Sequence, residues 1–242
     1  MLKALIGAGA AAAAAAAGYQ SMAPRGQWYG RTFVRGIPGM KQIALTYDDG
    51  PNDPHTLRLL EVLAKHEARA TFFLIGQFVK QRPDIVREIL QAGHAIGNHT
   101  FTHPRLIFTS AAGTRQELAR CQDAIADAAG EAPKLFRPPF GGRRPTTLGM
   151  VREMGLQTIM WSITGFDWKA PPAERIVRRV SGRIRGGDVV LLHDGSHRGM
   201  GGDRAQTVIA TGQLLTHWRE QGYAFVSVPV MMPVREEERT RA

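Results

Sequence analysis

Cysteine is almost missing: Cys121 is the one thiol in 242 residues. No intramolecular disulfide can form, and no thiolate cage can hold a metal. The thiol falls on an expected helix, where a small buried apolar role is commoner than that of a nucleophile. Aromatic residues are sparse too, at 7%, and none interleave with the densest basic run. No recognisable nucleic-acid motif is present, and no nucleic-acid partner is expected. After the N-terminal stretch, no segment approaches the roughly 20 consecutive apolar residues that span a bilayer. Acidic residues are outnumbered, 21 against 31 Lys and Arg, which leaves a net charge of +10. That excess favours anionic partners such as a charged cell envelope, although charge governs solubility and encounter rather than fold. The basic run itself (Arg175, Arg178, Arg179, Arg183, Arg185) shares its segment with Ile176, Val177, Val180 and Ile184 on another face, the pattern of a solvated helix.

With 43% apolar and 21% charged residues, the composition is that of a soluble globular chain. Its length suits one α/β domain with a full core. The N-terminus stands apart. Lys3 precedes an alanine-dominated run from Ala4 to Gly18 that holds several A-x-A triplets, and polar Gln20 and Ser21 follow. A charged start, an apolar run and small-residue cleavage sites describe a secretory signal, so residues 1–20 are expected to be signal-like or an anchor. The chain is accordingly expected to be exported or associated with the cell envelope. A non-exported alanine-rich leader is the alternative. Residues 21–39, rich in Gly, Pro and Arg, are expected to be a linker. Residues 40–230 form the expected domain, and 231–242 a loose charged tail.

Within the domain, strand and helix signals alternate. Strands are expected at Ile43–Tyr47, Ala70–Ile75, Ala95–Gly97, Lys134–Arg137, Thr158–Ile163, Val189–Leu192 and Ala224–Val228. Between them lie helices at Leu57–His66, from Pro83 to Gly93, from a capping box of Thr114 and Glu117 to Gly130, at Thr146–Met154, at Pro172–Arg185 and at Val208–Trp218. About seven βα units imply a parallel sheet with right-handed crossovers. The expected fold is α/β, a distorted (β/α) barrel resembling a TIM barrel, with a doubly wound open sheet as the runner-up.

The chemistry-bearing residues follow the expected strands. Asp48 and Asp49 follow the first, His99 and His103 the third, and Arg137 closes the fourth. Asp167 follows the fifth, and His193 closes the sixth. Strand C-terminal ends converge on one face of a barrel, where active sites form. His99 and His103 are four apart, so one helical turn would point both imidazoles at a single cation. A carboxylate from Asp48 or Asp49 would complete three protein ligands and leave room for water. Adjacent acids on a strand point to opposite sides, so one can bind a cation while the other stays free as a base. Taken alone, Asp-Gly-Pro is also ordinary turn chemistry. His55, His66, His94, His197 and His217 have no such partner and are expected to be structural or surface residues.

TYDDG (Thr46–Gly50), HTFTH (His99–His103), RPPFG (Arg137–Gly141), the Asp167-Trp168 pair and LLH (Leu191–His193) resemble, in order, the five motifs of the polysaccharide deacetylases, carbohydrate esterase family four. That family includes chitin, chito-oligosaccharide and peptidoglycan N-acetylglucosamine deacetylases. The resemblance spans Ile43 to about Val228. It implies a distorted barrel and a hydrolase that removes N-acetyl groups from an amino-sugar polymer. It implies that Asp49, His99 and His103 bind a divalent metal, usually zinc, with cobalt or nickel as substitutes. It further implies that Asp48 is the base, braced by Arg137, and that His193 is the general acid, tuned by Asp167. Trp168 and Leu191 would line the acetyl pocket, and the Phe140 backbone N–H would serve the oxyanion hole. Two positions depart from the family: Phe140 stands where Tyr is usual, and Thr164 where Asp is frequent before the Trp. A catalytically silent glycan binder, or a hydrolase of another amide, are the alternatives on the same fold.

Overall fold

A computed structural model describes residues 2–233. The charged tail expected at the C-terminus falls, from residue 234 onward, outside the described residues. The elements in order are α1 (Leu2–Met22), β1 (Gln42–Gly50), α2 (His55–Lys65), β2 (Thr71–Leu74), α3 (Gly76–Gln81), α4 (Pro83–Gln91), β3 (Ala95–Asn98), α5 (Ala111–Ala129), β4 (Leu135–Phe136), α6 (Pro145–Glu153), β5 (Gln157–Thr158), β6 (Ile163–Thr164), α7 (Ala173–Ser181), β7 (Asp188–His193), α8 (Ala205–Glu220), β8 (Ala224–Phe225) and α9 (Val228–Met231). Among the described residues, no helix is long and apolar enough to cross a membrane.

All strand pairs are parallel, in the order β5-β4-β3-β2-β1-β7-β6. β8 pairs only with Gln42 and Ile43 at the start of β1. The result is the expected α/β barrel, curled but not closed by strand pairing between β5 and β6. β1 shows why the sheet bends around a core. Its alternate residues Ile43, Leu45 and Tyr47 pack outward with Leu59, Ile85 and Leu214 of the surrounding helices. Ala44, between them, faces an inner cluster with Phe73, Leu135, Ile159 and Val189. Val228 and Met231 of α9 belong to the same cluster. This period of two delivers Asp48 to the interior as well.

Three expectations are corrected. Thr158–Ile163 is not one strand: β5 and β6 are two-residue strands at opposite ends of the sheet order. Arg137 explains the break, because its guanidinium takes the carbonyls of Ile159 and Met160 that a continuous ladder would use. The segment expected to be a linker is partly built into the barrel. Phe33 bridges Ile159 and Arg35 bridges Asp188, with Phe33 N–H donating to Thr158 O (2.9 Å) and Met160 N–H to Phe33 O (2.7 Å). Finally, Thr114 and Glu117 do not cap α5. The helix starts at Ala111, and the Ser110 hydroxyl accepts from Gly113 N–H. α7 does present the expected faces, with Ile176 and Val180 buried.

Candidate active site

Asp48 and Asp49 lie near the end of β1, before Gly50, and backbone irregularity decides how they face. Pairing of β1 with β2 shifts register between Asp48 and Gly50, and Asp49 has φ 73°. That left-handed residue cancels the strand alternation. Both carboxylates therefore come within reach of His99 Nε2, Asp48 Oδ2 at 3.7 Å and Asp49 Oδ1 at 3.6 Å. The expectation that the two acids point to opposite sides fails here, but their environments do differ. Asp48 Oδ1 accepts from Arg137 Nη1 at 2.7 Å, and the same nitrogen donates to Thr46 Oγ1 at 2.7 Å. Asp49 instead faces imidazoles.

His99 and His103 are not on a helix. They sit on a loop after β3 in which Thr100 and His103 have φ 67° and 61°. The left-handed region is strained for the β-branched Thr100, less so for His103. The loop is pinned to hold them. Asn98 Oδ1 accepts from Thr100 N–H (2.8 Å), and Thr100 Oγ1 accepts from His103 N–H (3.1 Å). Glu117, freed from any capping role, accepts from the N–H of Phe101 (3.0 Å) and of Thr102 (2.8 Å). His99 Nδ1 lies 2.7 Å from Arg137 O. A carbonyl cannot donate, so Nδ1 carries the proton and Nε2 presents its lone pair.

His103 Nε2 lies 3.2 Å from Asp49 Oδ1. The ligand atoms of Asp49, His99 and His103 all fall within 4.8 Å of one another, and all three residues are buried. Asp49 Oδ1 is buried without a hydrogen-bond partner, which a cation would supply. Burial alone would raise the Asp49 carboxyl, but the His197 hydrogen bond and the nearby imidazoles of His103, His193 and His99 hold it well below the usual carboxylate range. Burial, then neighbouring His99, pushes His103 down to about 3, so its ring is neutral, the form that ligates a metal. The donor set thus fits a divalent cation with nitrogen and oxygen ligands.

Opposite this cluster, β7 ends at His193, the register partner of Asp48. Asp167 Oδ1 lies 2.9 Å from His193 Nδ1, and its Oδ2 accepts from His193 N–H (2.7 Å) and Thr207 Oγ1 (2.9 Å). Burial opposes charge on the His193 ring, but Asp167, with Asp49 and Asp48 behind it, raises it to about 9. Trp168 packs edge-on against His193 with centroids 5.3 Å apart. Phe140 (φ 56°) stands across the mouth on a 3-10 turn, Pro139–Gly141. These side chains line a cavity of about 530 Å³ that also takes in Leu191, Trp161 and His197.

A family model for polysaccharide deacetylase matches residues 35–159. The chain belongs to the polysaccharide deacetylase family. Among its relatives, a peptidoglycan-N-acetylglucosamine deacetylase of Bacillus cereus is 38% identical over 194 residues, 79% of this chain and 88% of that protein. A chitooligosaccharide deacetylase of Azorhizobium caulinodans is 34% identical over 194 residues, 77% of this chain and 92% of that one. A solved peptidoglycan N-acetylglucosamine deacetylase, bound to a naphthalenyl N-oxidanyl-benzamide, superposes with a TM-score of 0.80 at 32% identity, over 85% of this chain and 94% of that chain.

In this polysaccharide deacetylase, every site residue expected from the sequence reaches the mouth or its immediate support. Others were not expected there, His197, Trp161 and Asp194 among them. His197, expected to be structural or surface, donates its N–H to Asp49 Oδ2 (3.2 Å), and its ring stacks on His103 at 4.7 Å and 18°. Its one sequence signal is its place four residues after His193, on the loop that follows β7. Trp161 lines the mouth with no motif to announce it. Asp194 also supports the site from behind, accepting from the Thr56 hydroxyl while its carbonyl accepts from Asn52 Nδ2.

Proposed function

We propose that this chain is a metal-dependent hydrolase that removes acetyl groups from N-acetylglucosamine units of a glycan such as peptidoglycan or a chito-oligosaccharide. One observation carries the reading: Asp48 and His193 are paired at the ends of neighbouring strands, each with its own buried counter-charge, beside the Asp49–His99–His103 donor set. A pure binding module has no need of such an acid–base pair.

Asp49, His99 and His103 would hold the metal, which we take to be zinc on the strength of two imidazoles and one carboxylate. When bound, the cation supplies Lewis-acid polarisation of the acetamide carbonyl and acidification of water. Asp48 takes the proton of the attacking water, and Arg137 fixes the carboxylate's direction through Oδ1 while leaving Oδ2 toward the mouth. The Phe140 N–H meets the oxyanion that develops on the acetyl oxygen. Protonated His193 delivers a proton to the departing amine, which would otherwise leave as a poor anion. Trp168 and Leu191 enclose the acetyl methyl group. The products are acetate and a free amino sugar. The alanine-rich N-terminal run and the +10 charge support action at the cell envelope.

The test is acetate release from N-acetylated chito-oligosaccharides and from peptidoglycan, after EDTA and again after adding zinc or cobalt. Release that is lost and then restored supports the reading. Silence on both substrates in a folded, metal-loaded protein moves the function to another amide or to glycan binding.

A further inference from the structure

Arg143 is a buried cation without an acid. It is 1% exposed, and no carboxylate lies within salt-bridge reach of it among the described residues. An unpaired buried charge is costly unless its hydrogen bonds are satisfied. Carbonyls do that here. Nη1 donates to Gly141 O (3.0 Å), and Nη2 donates to Ala23 O (2.6 Å) and Gly26 O (2.8 Å). The Arg143 N–H adds a bond to Ser21 O at 3.0 Å. Ala23 directly follows the end of α1, where unpaired carbonyls carry partial negative charge, so the guanidinium caps that end.

The segment Tyr19–Gly26 is thereby folded into a strap. Ala23 N–H donates to Tyr19 O (2.7 Å) and Gly26 N–H to Ala23 O (2.9 Å). Trp28 N–H donates to Gln20 Oε1 (3.3 Å), and Tyr29 Oη to Ala17 O (3.0 Å). The strap lies against the 3-10 turn that carries Phe140. A Cβ placed on Gly141 would be 3.6 Å from Met22 O, and one on Gly142 would be 3.6 Å from Met22 Sδ. Phe140, next to these contacts, lines the mouth with a left-handed backbone, a conformation that persists only where its surroundings enforce it.

We infer that Arg143 and the Tyr19–Gly26 strap form a positioning device for the Phe140 turn, so that the strap as well as the barrel sets where the Phe140 N–H stands. This rests on the deacetylase reading above. Arg143 touches no reacting atom; it acts by clamping the strap to the turn. A cut within the alanine run, upstream of Ala17, leaves the device whole, whereas removal of Tyr19–Gly26 leaves the buried guanidinium with the Gly141 carbonyl alone of its three.

The experiment uses the full chain as wild type, Arg143→Met and Gly26→Ala. Arg143→Met keeps the length and loses the donors. Gly26→Ala leaves every mouth residue untouched, yet its Cβ would lie 2.9 Å from Gln20 O and 2.7 Å from Gln20 Oε1, so the strap must shift. Three quantities are read: trypsin cleavage after Arg25, zinc affinity by chelator competition, and kcat and KM for acetate release from a chito-oligosaccharide. Both variants should be cut faster after Arg25 and keep zinc affinity and KM within about two-fold, while kcat falls by roughly 10- to 100-fold, below the loss seen when an oxyanion donor is removed outright. If Arg143→Met does not fold, Gly26→Ala alone decides. A strap that is freed to trypsin while kcat stays at the wild-type value overturns the positioning role. So does a fall in zinc affinity as large as the fall in kcat, which marks general loosening. A silent wild type on every N-acetylglucosamine substrate instead overturns the deacetylase reading itself, and this use of the strap with it.

Discussion

Arg137 and Asp48 meet as a fully buried ion pair, Nη1 to Oδ1 at 2.7 Å, on the floor of the mouth. The guanidinium is otherwise satisfied by Thr46 Oγ1 and by the carbonyls of Ile159 and Met160. It also lies 4.1 Å from the centroid of the Phe73 ring. One side chain thus fixes the Asp48 carboxylate and braces the gap between β5 and β6.

That double role makes Arg137→Met costly. Removing one partner leaves Asp48 buried and alone, a change worth about 3–5 kcal/mol in comparable pairs. Urea unfolding should show a loss of that size, and the Arg137→Met/Asp48→Asn double variant should recover part of it because the orphaned charge is gone. A single variant within about 1 kcal/mol of wild type, the range of a surface pair, would remove the buried pair from the stability argument.

Asp48→Asn keeps the shape of the side chain and removes the proposed base. Turnover should fall by at least about 100-fold, within the usual contribution of general base catalysis. Zinc affinity should change little, because Asp49, His99 and His103 remain. Steady-state acetate release and chelator competition check the two halves separately. Near-normal rates would take the base role away from Asp48.

The pH profile tests the His193–Asp167 pair. A general acid works only while protonated, so kcat should decline as pH rises through about 9, the value to which Asp167 lifts this ring against the effect of burial. Asp167→Asn removes the largest raising contribution and leaves burial in place, so the alkaline limb should move to lower pH. Stability follows the same sign. A His with a raised folded pKa contributes stability that is whole below its unfolded value, about 6.5, and is lost as pH climbs through about 9. The stability gap between wild type and Asp167→Asn should therefore narrow from pH 6.5 to 9. A limb that does not move in Asp167→Asn would detach His193 from the proton donor's role.

Motif residues were the legible part of this site because strand ends and sequence order carry them to one place. Asp48, His193 and Arg137 needed only the strand alternation and the parallel topology. The delivery of Asp49 and His103 was not legible, since left-handed residues and a register shift replace the strand and the helical turn that spacing suggested. β5 and β6 merged into one expected strand because nothing in Thr158–Ile163 reveals that Arg137 takes two of its carbonyls. His197 and Trp161 reach the mouth through loop geometry alone. The Gly- and Pro-rich stretch before β1 reads as a linker for its composition, yet the bridges of Phe33 and Arg35 and the Arg143 guanidinium bonds to strap carbonyls tie it to the barrel, and composition encodes neither.

The donor set predicts a graded response to two histidine changes. His103→Ala removes a nitrogen 3.2 Å from Asp49 Oδ1 and should weaken zinc binding by more than any outer change. His197→Ala leaves the three donors in place but removes the ring stacked on His103. Its backbone N–H to Asp49 Oδ2 can survive, so the loss should be smaller, at or below the 10- to 100-fold typical of groups that orient metal ligands. Chelator competition on purified, folded variants measures both without reference to turnover. His103→Ala with unchanged affinity would place the ligand set elsewhere. His197→Ala with unchanged affinity would reduce that residue to a wall of the substrate mouth, where its effect would appear in KM alone.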